Sequence, residues 1–157
     1  MIKQLISQVI FASFMRVLTC IKLSFSSAHT LTKDLGTQAC STIHGHNYTV
    51  ELCFTSENPL PWVYDFKRLK VIAKKVIDQL DHKLLLPEKI CRSSNVSIPG
   101  TDPSIICLPV EEVTAEELAL YIAKEVTNVI NNEQIKISLV KVRLYESDTS
   151  YVEVELL

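Results

Sequence analysis

The sequence predicts an α+β fold in which two strands, two helices and two further strands follow one another as ββααββ. Three observations support this prediction: alternating apolar and polar residues near both ends, two apolar stripes of helical spacing between them, and a turn signal before the last strand. Helices that are separated from the strands along a chain pack together on one face of an antiparallel sheet. We therefore expect a four-stranded antiparallel sheet with both helices on one face.

The first part of the domain contains two strands and a helix. Residues 16–28 form a β-rich run that we assign to the first strand, and the alternation over 46–55 predicts a second strand antiparallel to it. Asp65 is well placed to cap a helix that runs to about Leu80. The apolar stripe of this helix has amphipathic spacing and consists of Leu69, Ile72, Ala73, Val76, Ile77 and Leu80.

A long connection separates this helix from the second one. Residues 84–113 contain several prolines, and a structureless stretch of that length in a compact domain is more often a functional loop than an accident. Thr114-Ala115-Glu116-Glu117 then matches a capping box, which predicts the start of the second helix. The strands 135–146 and 151–157 follow, and the hairpin signal Ser147-Asp148-Thr149-Ser150 joins them.

The length and composition are those of one globular domain, which we assign to residues 16–157. The chain has 157 residues, of which 47% are hydrophobic and 22% charged, and its formal net charge is −2. A near-neutral chain without a basic cluster is not typical of a nucleic-acid-binding protein. The apolar run near the N-terminus is too short and polar to span a bilayer, so we expect no membrane partner.

Residues 1–15 form an N-terminal extension whose status is open. Gln4, Ser7 and Gln8 interrupt its apolar run, and no small-residue cleavage site is clear. An additional short helix, or residues upstream of a true start at Met15, fits these features better than a secretory signal does.

The five cysteines are Cys20, Cys40, Cys53, Cys91 and Cys107. An odd number without a Cys-x-x-Cys pair is a poor disulfide framework and suits a reducing compartment. We therefore expect a cytoplasmic protein with unpaired thiols, in which the cysteines other than Cys40 act as small apolar residues.

All four histidines lie in short motifs. The two imidazoles of His44-Gly45-His46 point the same way on a strand, because side chains alternate along it. If the first two strands are neighbours, His29, His44 and His46 supply three nitrogens to one zinc, and the fourth position of the ion stays open, as in catalytic sites. The alternative is that the histidine pair faces water and His29 is unrelated to it.

Cys40 lies one short loop before the histidine pair. A nearby cation would lower the pKa of its thiol and provide a base or nucleophile, although most cysteines are merely small apolar residues. Asp81-His82 follows the first helix. Because adjacent residues do not easily bond each other, we expect His82 to reach Cys40 while Asp81 orients it or contacts substrate. The alternative is a histidine at the negative end of a helix.

Glu146 continues the parity of the apolar residues of the third strand. A carboxylate on such a face is costly unless it is paired, and it would suit a ligand with two parallel N–H donors, such as an amino-pyrimidinone edge. The alternative is a glutamate at a strand end that turns to solvent.

In this order the motifs resemble the 6-pyruvoyltetrahydropterin synthase and 6-carboxytetrahydropterin synthase family. The matching stretches cover the chain from about residue 16 to its end: Phe25-Ser26-Ser27-Ala28-His29, Cys40-x-x-x-His44-Gly45-His46-Asn47-Tyr48, Val63-Tyr64-Asp65-Phe66, Leu80-Asp81-His82, Thr114-Ala115-Glu116 and Tyr145-Glu146-Ser147. The resemblance implies the tunnelling fold, in which trimers close their sheets into a barrel, two trimers stack as a hexamer, and active sites lie between subunits.

The resemblance also implies a role for each candidate residue: the zinc ligands His29, His44 and His46, the base Cys40, its partners Asp81 and His82, and the pterin-binding residues Thr114 and Glu146. The implied substrate is the small molecule 7,8-dihydroneopterin triphosphate, with zinc as a Lewis acid. A spacing of three residues between Cys40 and His44 resembles the carboxy-producing branch of 7-deazapurine (queuosine or archaeosine) synthesis, in which acetaldehyde and triphosphate leave. A longer spacing is typical of the pyruvoyl-producing, tetrahydrobiopterin-type branch.

The chain departs from the family pattern at three places: Thr30 in place of arginine, Val113 in place of proline, and Leu84-Leu85-Leu86 in place of an asparagine-containing motif. These changes leave the zinc ligands and the base in place, but they leave open which residues contact the phosphates. By loop placement, the candidates are Lys33, Lys83 and Arg92. They also motivate an alternative function, a non-catalytic pterin-binding or metal-binding oligomer. A zinc hydrolase is the last alternative, because no His-Glu-x-x-His helix is present.

Overall fold

The protein consists of a mixed sheet with two long helices on one face. The computed structural model describes residues 16–33, 38–56, 62–93 and 104–157, so the extension 1–15 lies outside the described residues. Within the described ranges the strands and helices are β1 (Thr19–His29), β2 (His44–Thr55), α1 (Phe66–Leu80), β3 (Lys83–Pro87), α2 (Glu88–Ser93), β4 (Ile105–Leu108), α3 (Ala115–Asn132), β5 (Ser138–Tyr145) and β6 (Tyr151–Glu155). A short 3-10 helix, Gln38–Ser41, precedes β2.

The order of the strands in the sheet is β4-β3-β1-β2-β5-β6. The pairs β1–β2, β2–β5 and β5–β6 are antiparallel, as the sequence predicts. The other two strands, β3 and β4, extend the sheet beyond β1 and run parallel to it. The α+β class is confirmed, but the described residues form a mixed sheet of six strands and not an antiparallel sheet of four, because the predicted long loop contains β3, α2 and β4.

The two additional strands lack the alternation that marked the others. Leu84, Leu85 and Leu86 of β3 are all buried. A strand that is covered on both faces has a continuous apolar run, which periodicity alone does not distinguish from other buried segments. The leucines after His82 are therefore explained by core packing.

Helix α1 begins and ends where the sequence predicts. The Asp65 carboxylate accepts a hydrogen bond from the backbone N–H of Arg68 at 3.0 Å and caps the helix. Its buried residues are the six of the predicted stripe, and they pack over β1 and against α3. Among the described residues, no helix is long and apolar enough to cross a membrane.

Helix α3 has half of the predicted capping box. The Thr114 hydroxyl accepts a hydrogen bond from the N–H of Glu117 at 3.3 Å. The Glu117 carboxylate does not complete the box but accepts bonds from the N–H groups of Glu111, at 2.7 Å, and Glu112, at 3.3 Å. The segment before the helix is therefore held against its first turn.

Four of the five cysteines form two disulfides, so the prediction of unpaired thiols is wrong. Cys20 and Cys53 face each other in the β1–β2 register, with Cα atoms 4.1 Å apart. Cys91 of α2 is bonded to Cys107 of β4. The partners are 33 and 16 residues apart along the chain, so their pairing depends on strand register and could not be read from spacing. Cys40 is the cysteine outside both bonds.

Reduction of the two disulfides is expected to lower the free energy of unfolding by about 2–4 kcal/mol for each bond, because each cross-link restricts the unfolded chain. Urea unfolding with and without reductant measures this loss. A Cys40→Ser variant should lose the same amount, since Cys40 is outside both bonds. Equal stability in both conditions, or Cys40 in a disulfide by non-reducing peptide mapping, would contradict the assignment.

Candidate active site

The register of β1 and β2 brings three histidines together at one end of the sheet. His29 lies opposite His44, and Ser27 lies opposite His46. Because alternate side chains share a face, the three imidazoles project to the side that carries the helices. One ring nitrogen from each lies within 4.8 Å of the others, so His29, His44 and His46 form a group that could hold a metal ion. The three imidazoles thus converge as the sequence predicts.

Backbone carbonyls orient two of these rings. The Nδ1–H of His29 donates to the carbonyl of Val113 at 2.6 Å, and that of His44 donates to the carbonyl of Thr42 at 2.8 Å. With Nδ1 protonated, Nε2 is left with a lone pair, and metal-binding histidines are commonly held in this way. The Nε2 atoms of His29 and His46 are buried without a hydrogen-bond partner. Buried ring nitrogens without a partner fit a metal ion.

The electrostatic environment keeps the most buried imidazole neutral. His29 is 3% exposed. Burial lowers the pKa of His29, and His44 and His46 lower it further, while the hydrogen bond to Val113 opposes them without reversing the shift. The neutral imidazole is the form that binds a metal, so the fold prepares His29 for this role.

A cavity of about 380 Å³ opens onto the three histidines. Three further residues predicted from the sequence, Cys40, Thr114 and Glu146, also line it. Cys40 belongs to the short 3-10 helix, and its carbonyl accepts a hydrogen bond from the N–H of Leu31 at 2.9 Å, which ties this helix to the end of β1. The structure therefore brings the thiol-bearing residue and the histidines to one cavity.

Glu146 follows β5 at the cavity wall. Its Oε1 lies 3.7 Å from His46 Nε2, and its side chain is 35% exposed. The carboxylate is therefore open to the cavity and close to the metal-binding group, with room to accept hydrogen bonds from a ligand.

Asp81 and His82 are not brought to this cavity within one chain. His82 lines a second cavity, of about 470 Å³, together with Ser26, Asn47 and Lys83. The Asp81 carboxylate accepts a bond from the N–H of Ser26 at 2.8 Å, and this bond lowers the pKa of Asp81 despite the opposing effect of desolvation. The His82 side chain is 82% exposed.

The expectation that Asp81 and His82 do not contact each other is wrong. His82 Nδ1 lies 3.0 Å from Asp81 Oδ2. The φ angle of His82 at this contact is +56°, a left-handed conformation. The carboxylate can therefore fix the tautomer of its neighbour directly.

The candidate phosphate-binding cations have different partners. Lys83 lines the second cavity, where its Nζ donates to the hydroxyl of Ser104 at 2.5 Å. Lys33 pairs with Glu111 at 3.3 Å, and Arg92 pairs with Glu88 in α2.

The sequence matches the family model described as 6-pyruvoyl tetrahydropterin synthase over residues 19–156. The chain belongs to the 6-pyruvoyl tetrahydropterin synthase family. Members are lyase-type enzymes, and this chain is an enzyme of that family. The resemblance found from the sequence motifs is thereby confirmed.

Two relatives and two solved structures agree with membership of the 6-pyruvoyl tetrahydropterin synthase family. A proposed 6-carboxy-5,6,7,8-tetrahydropterin synthase of Methanocaldococcus jannaschii is 36% identical over 127 residues, which cover 70% of this chain and 75% of the relative. A relative of the same name from Pyrococcus horikoshii is 31% identical over 140 residues, which cover 83% of this chain and 84% of the relative.

The two structures are 6-pyruvoyltetrahydropterin synthases from Plasmodium. The Plasmodium vivax structure has a TM-score of 0.68 at 24% identity and covers 89% of this chain and 97% of its own. The Plasmodium falciparum structure has a TM-score of 0.66 at 25% identity, and the match covers 88% of this chain and 96% of the Plasmodium falciparum chain. The tunnelling fold predicted for the chain is confirmed by these similarities.

The sequence assigns no role to some residues of this family member's site. Glu116 and Tyr151 line the cavity. From the sequence, Glu116 is an ordinary acidic residue at the start of a helix, and Tyr151 is an ordinary aromatic residue of a strand. The hydroxyl of Tyr48 is buried without a partner, and burial, with a smaller effect of Glu146, raises its pKa. A tyrosine two residues after His46 shares the face of the ligands, but alternation equally predicts a core residue there.

Proposed function

We propose that the protein is a zinc-dependent 6-carboxy-5,6,7,8-tetrahydropterin synthase. It converts 7,8-dihydroneopterin triphosphate to 6-carboxytetrahydropterin, with loss of acetaldehyde and triphosphate. The observation that carries this proposal is the meeting of the three imidazoles and Cys40 at one cavity. Three residues between Cys40 and His44, and the names of the two relatives, favour the carboxy branch. The alternative product is the pyruvoyl compound, after which the family is named.

His29, His44 and His46 would hold the zinc. Three nitrogen donors with one position left for a non-protein ligand are typical of catalytic zinc sites. When bound, the ion supplies Lewis acidity to the substrate side chain. The buried Nε2 atoms of His29 and His46 support this assignment because neither has a hydrogen-bond partner.

The chain's own residues would supply the proton transfers and the binding of the ring. Cys40 is the base that takes a proton from the substrate side chain. Glu146 accepts two hydrogen bonds from the amino-pyrimidinone edge of the pterin, since an ionised carboxylate offers two acceptor oxygens. The Thr114 hydroxyl already accepts the N–H of Glu117, so its own proton remains to donate to the ring.

We infer that Asp81 and His82 serve the site of a neighbouring subunit. Neither residue lines the cavity of Cys40, and His82 is exposed and lines the second cavity. These observations support a homo-oligomer, a trimer or hexamer, in which His82 of one subunit faces Cys40 of another. In that arrangement Asp81 holds the imidazole of His82 in the tautomer that exchanges protons with the thiol.

Complementation between inactive variants tests this arrangement. A mixture of Cys40→Ala and His82→Ala subunits, dissociated and reassembled together, should regain activity, because sites with Cys40 from one variant and His82 from the other are intact. The matched control is a mixture of Cys40→Ala and His46→Ala. Cys40 and His46 line the same cavity of one chain, so every cavity lacks one of the two residues and activity stays lost. No recovery in the first mixture would contradict a site shared between subunits.

The proposed branch implies a pathway, and the location is a separate proposal. A carboxy product places the reaction in 7-deazapurine synthesis, toward queuosine or archaeosine, and we propose a cytoplasmic enzyme. Disulfides are rarer in reducing compartments, so the oxidation state of the four bonded cysteines in the native protein is the measurement that tests this location.

Product identification from the purified, zinc-loaded protein tests the proposed reaction. Incubation with 7,8-dihydroneopterin triphosphate should release acetaldehyde together with triphosphate. A pyruvoyl product without acetaldehyde would assign the protein to the sister branch. Tight pterin binding with no turnover, unchanged in a Cys40→Ala variant, would identify a non-catalytic binding protein.

Replacing Glu146 with glutamine is expected to raise KM by about 10- to 100-fold, because an amide offers one acceptor oxygen where the carboxylate offers two charged ones. The zinc content should not change. Steady-state kinetics and metal analysis on the same preparation measure both quantities. Loss of zinc in this variant would show that Glu146 is a ligand of the metal and not an anchor for the pterin.

A further inference from the structure

Glu112, which lies just before α3, is a buried carboxylate outside the predicted site. It is 1% exposed, and it is the one carboxylate residue among the buried residues of the described chain. Its neighbour Glu111 has the same side chain but is 72% exposed. A carboxylate removed from water is costly unless hydrogen bonds and charges compensate for the lost hydration. The partners of Glu112 therefore indicate what it does.

Both carboxylate oxygens of Glu112 are bonded to one residue, Thr32. Oε2 accepts the backbone N–H of Thr32 at 2.8 Å, and Oε1 accepts its hydroxyl at 2.5 Å. Lys89 Nζ lies 3.8 Å from Oε1. Burial raises the pKa of Glu112, but the two bonds from Thr32 and the charges of Lys89 and Lys33 outweigh it, so the pKa is lowered overall and the group is ionised at neutral pH.

Thr32 lies in the segment that connects His29, a candidate metal ligand, to Cys40. It comes three residues after His29, and its neighbour Leu31 donates its N–H to the carbonyl of Cys40 at 2.9 Å. The carbonyl of Val113, the residue after Glu112, accepts the Nδ1–H of His29 at 2.6 Å. Two consecutive residues, Glu112 and Val113, therefore hold both His29 and the backbone that positions Cys40.

This two-residue clamp is fixed to α3. The Glu117 carboxylate accepts the N–H of Glu112 at 3.3 Å, and the Thr114 hydroxyl caps the same helix turn. A shift of Glu112 would break its hydrogen bond to Glu117, so one set of hydrogen bonds links the start of α3, the end of β1 and the Cys40 turn.

We propose that Glu112 is a positioning residue. By binding Thr32 it preserves the hydrogen bond between Leu31 and Cys40, and it thereby keeps the Cys40 thiol beside the three histidines. This inference rests on the proposed role of Cys40 as the base. A misplacement of about 1 Å in a reacting group can reduce a rate about a hundredfold, so a residue that never touches the substrate can act strongly on turnover.

The test compares Glu112→Gln with Glu111→Gln, a matched control that removes the same charge from the adjacent, exposed position. In Glu112→Gln, the amide cannot accept both donors of Thr32. We expect hydrogen exchange at the Leu31 and Thr32 amides to accelerate by at least about tenfold, with the α1 amides unchanged. Alkylation of Cys40, followed by peptide mass spectrometry, should change in rate as well. Both readouts are independent of turnover.

The kinetic readout separates positioning from a general loss of stability. We expect kcat of Glu112→Gln to fall about 10- to 100-fold with KM and zinc content near those of the parent. Thr32→Val should cause a smaller fall, and adding it to Glu112→Gln should cause little more, because the two side chains act through one contact.

Exchange and alkylation indistinguishable from those of Glu111→Gln would overturn the proposal. So would acceleration of the α1 amides to the same extent, because it would mean that the carboxylate stabilises the whole domain. If the parent protein turns over no substrate, the proposed function fails, yet exchange and alkylation still decide whether Glu112 positions Cys40.

Discussion

Replacing Cys40 with alanine is expected to reduce turnover by about 10²- to 10⁴-fold, the range that a positioned acid–base group contributes. The thiol belongs to a residue of the cavity wall, beside the three histidines, and the remaining cysteines are bonded in disulfides. No other thiol can therefore replace it. Single-turnover kinetics with 7,8-dihydroneopterin triphosphate measures the loss on the chemical step.

The same variant should keep its zinc and its oligomeric state. Ser41→Ala is a suitable control, because Ser41 is an exposed neighbour in the same 3-10 helix and does not line the cavity. Turnover of the control should remain within about twofold of the parent, as exposed substitutions have small effects. Turnover of Cys40→Ala equal to that of the parent would exclude the thiol as the base.

Replacing His46 with alanine is expected to remove the metal. Loss of a partner that merely orients a ligand reduces metal affinity about 10- to 100-fold, and loss of a ligand should cost more than that. His46 Nε2 is buried without a hydrogen-bond partner, and its contact with the Glu146 carboxylate is long, at 3.7 Å, so the substitution removes a nitrogen that is available to a metal ion. Chelator competition and metal analysis measure the affinity, and turnover should be lost with the ion.

His82→Ala provides the control for this experiment, because the imidazole of His82 belongs to another cavity and does not contribute to the metal-binding group. It should keep its zinc while losing turnover in the oligomer. If Cys40→Ala lost as much metal as His46→Ala, the thiol would be a ligand and its assignment as the base would be wrong.

The sequence predicted the parts of the site that depend on local periodicity. Alternation on a strand was enough to place His44 and His46 on one face, and the neighbouring strand brought His29 beside them. The helix caps at Asp65 and Thr114 were likewise predicted, because a cap is a contact between residues three positions apart.

Features that depend on long-range contacts could not be predicted. The disulfide pairing depends on which strands are neighbours. The strand β3 could not be recognised because its buried residues are all apolar and do not alternate with polar ones. The contact between Asp81 and His82 occurs where His82 has a left-handed conformation, which the sequence does not indicate because the residue is neither glycine nor asparagine. Glu112 looks like a surface acid beside Glu111, and its burial becomes visible once Thr32, 80 residues away, is known to be its partner.

X-ray absorption spectroscopy of the zinc-loaded protein tests the central claim most directly, namely that His29, His44 and His46 hold one ion beside, and not bound to, the Cys40 thiol. We expect one zinc per chain, with three imidazole nitrogens at about 2.0–2.1 Å, one further light donor, and no sulfur in the coordination shell. A shell with fewer than three imidazoles, or with a sulfur at about 2.3 Å, would contradict the account.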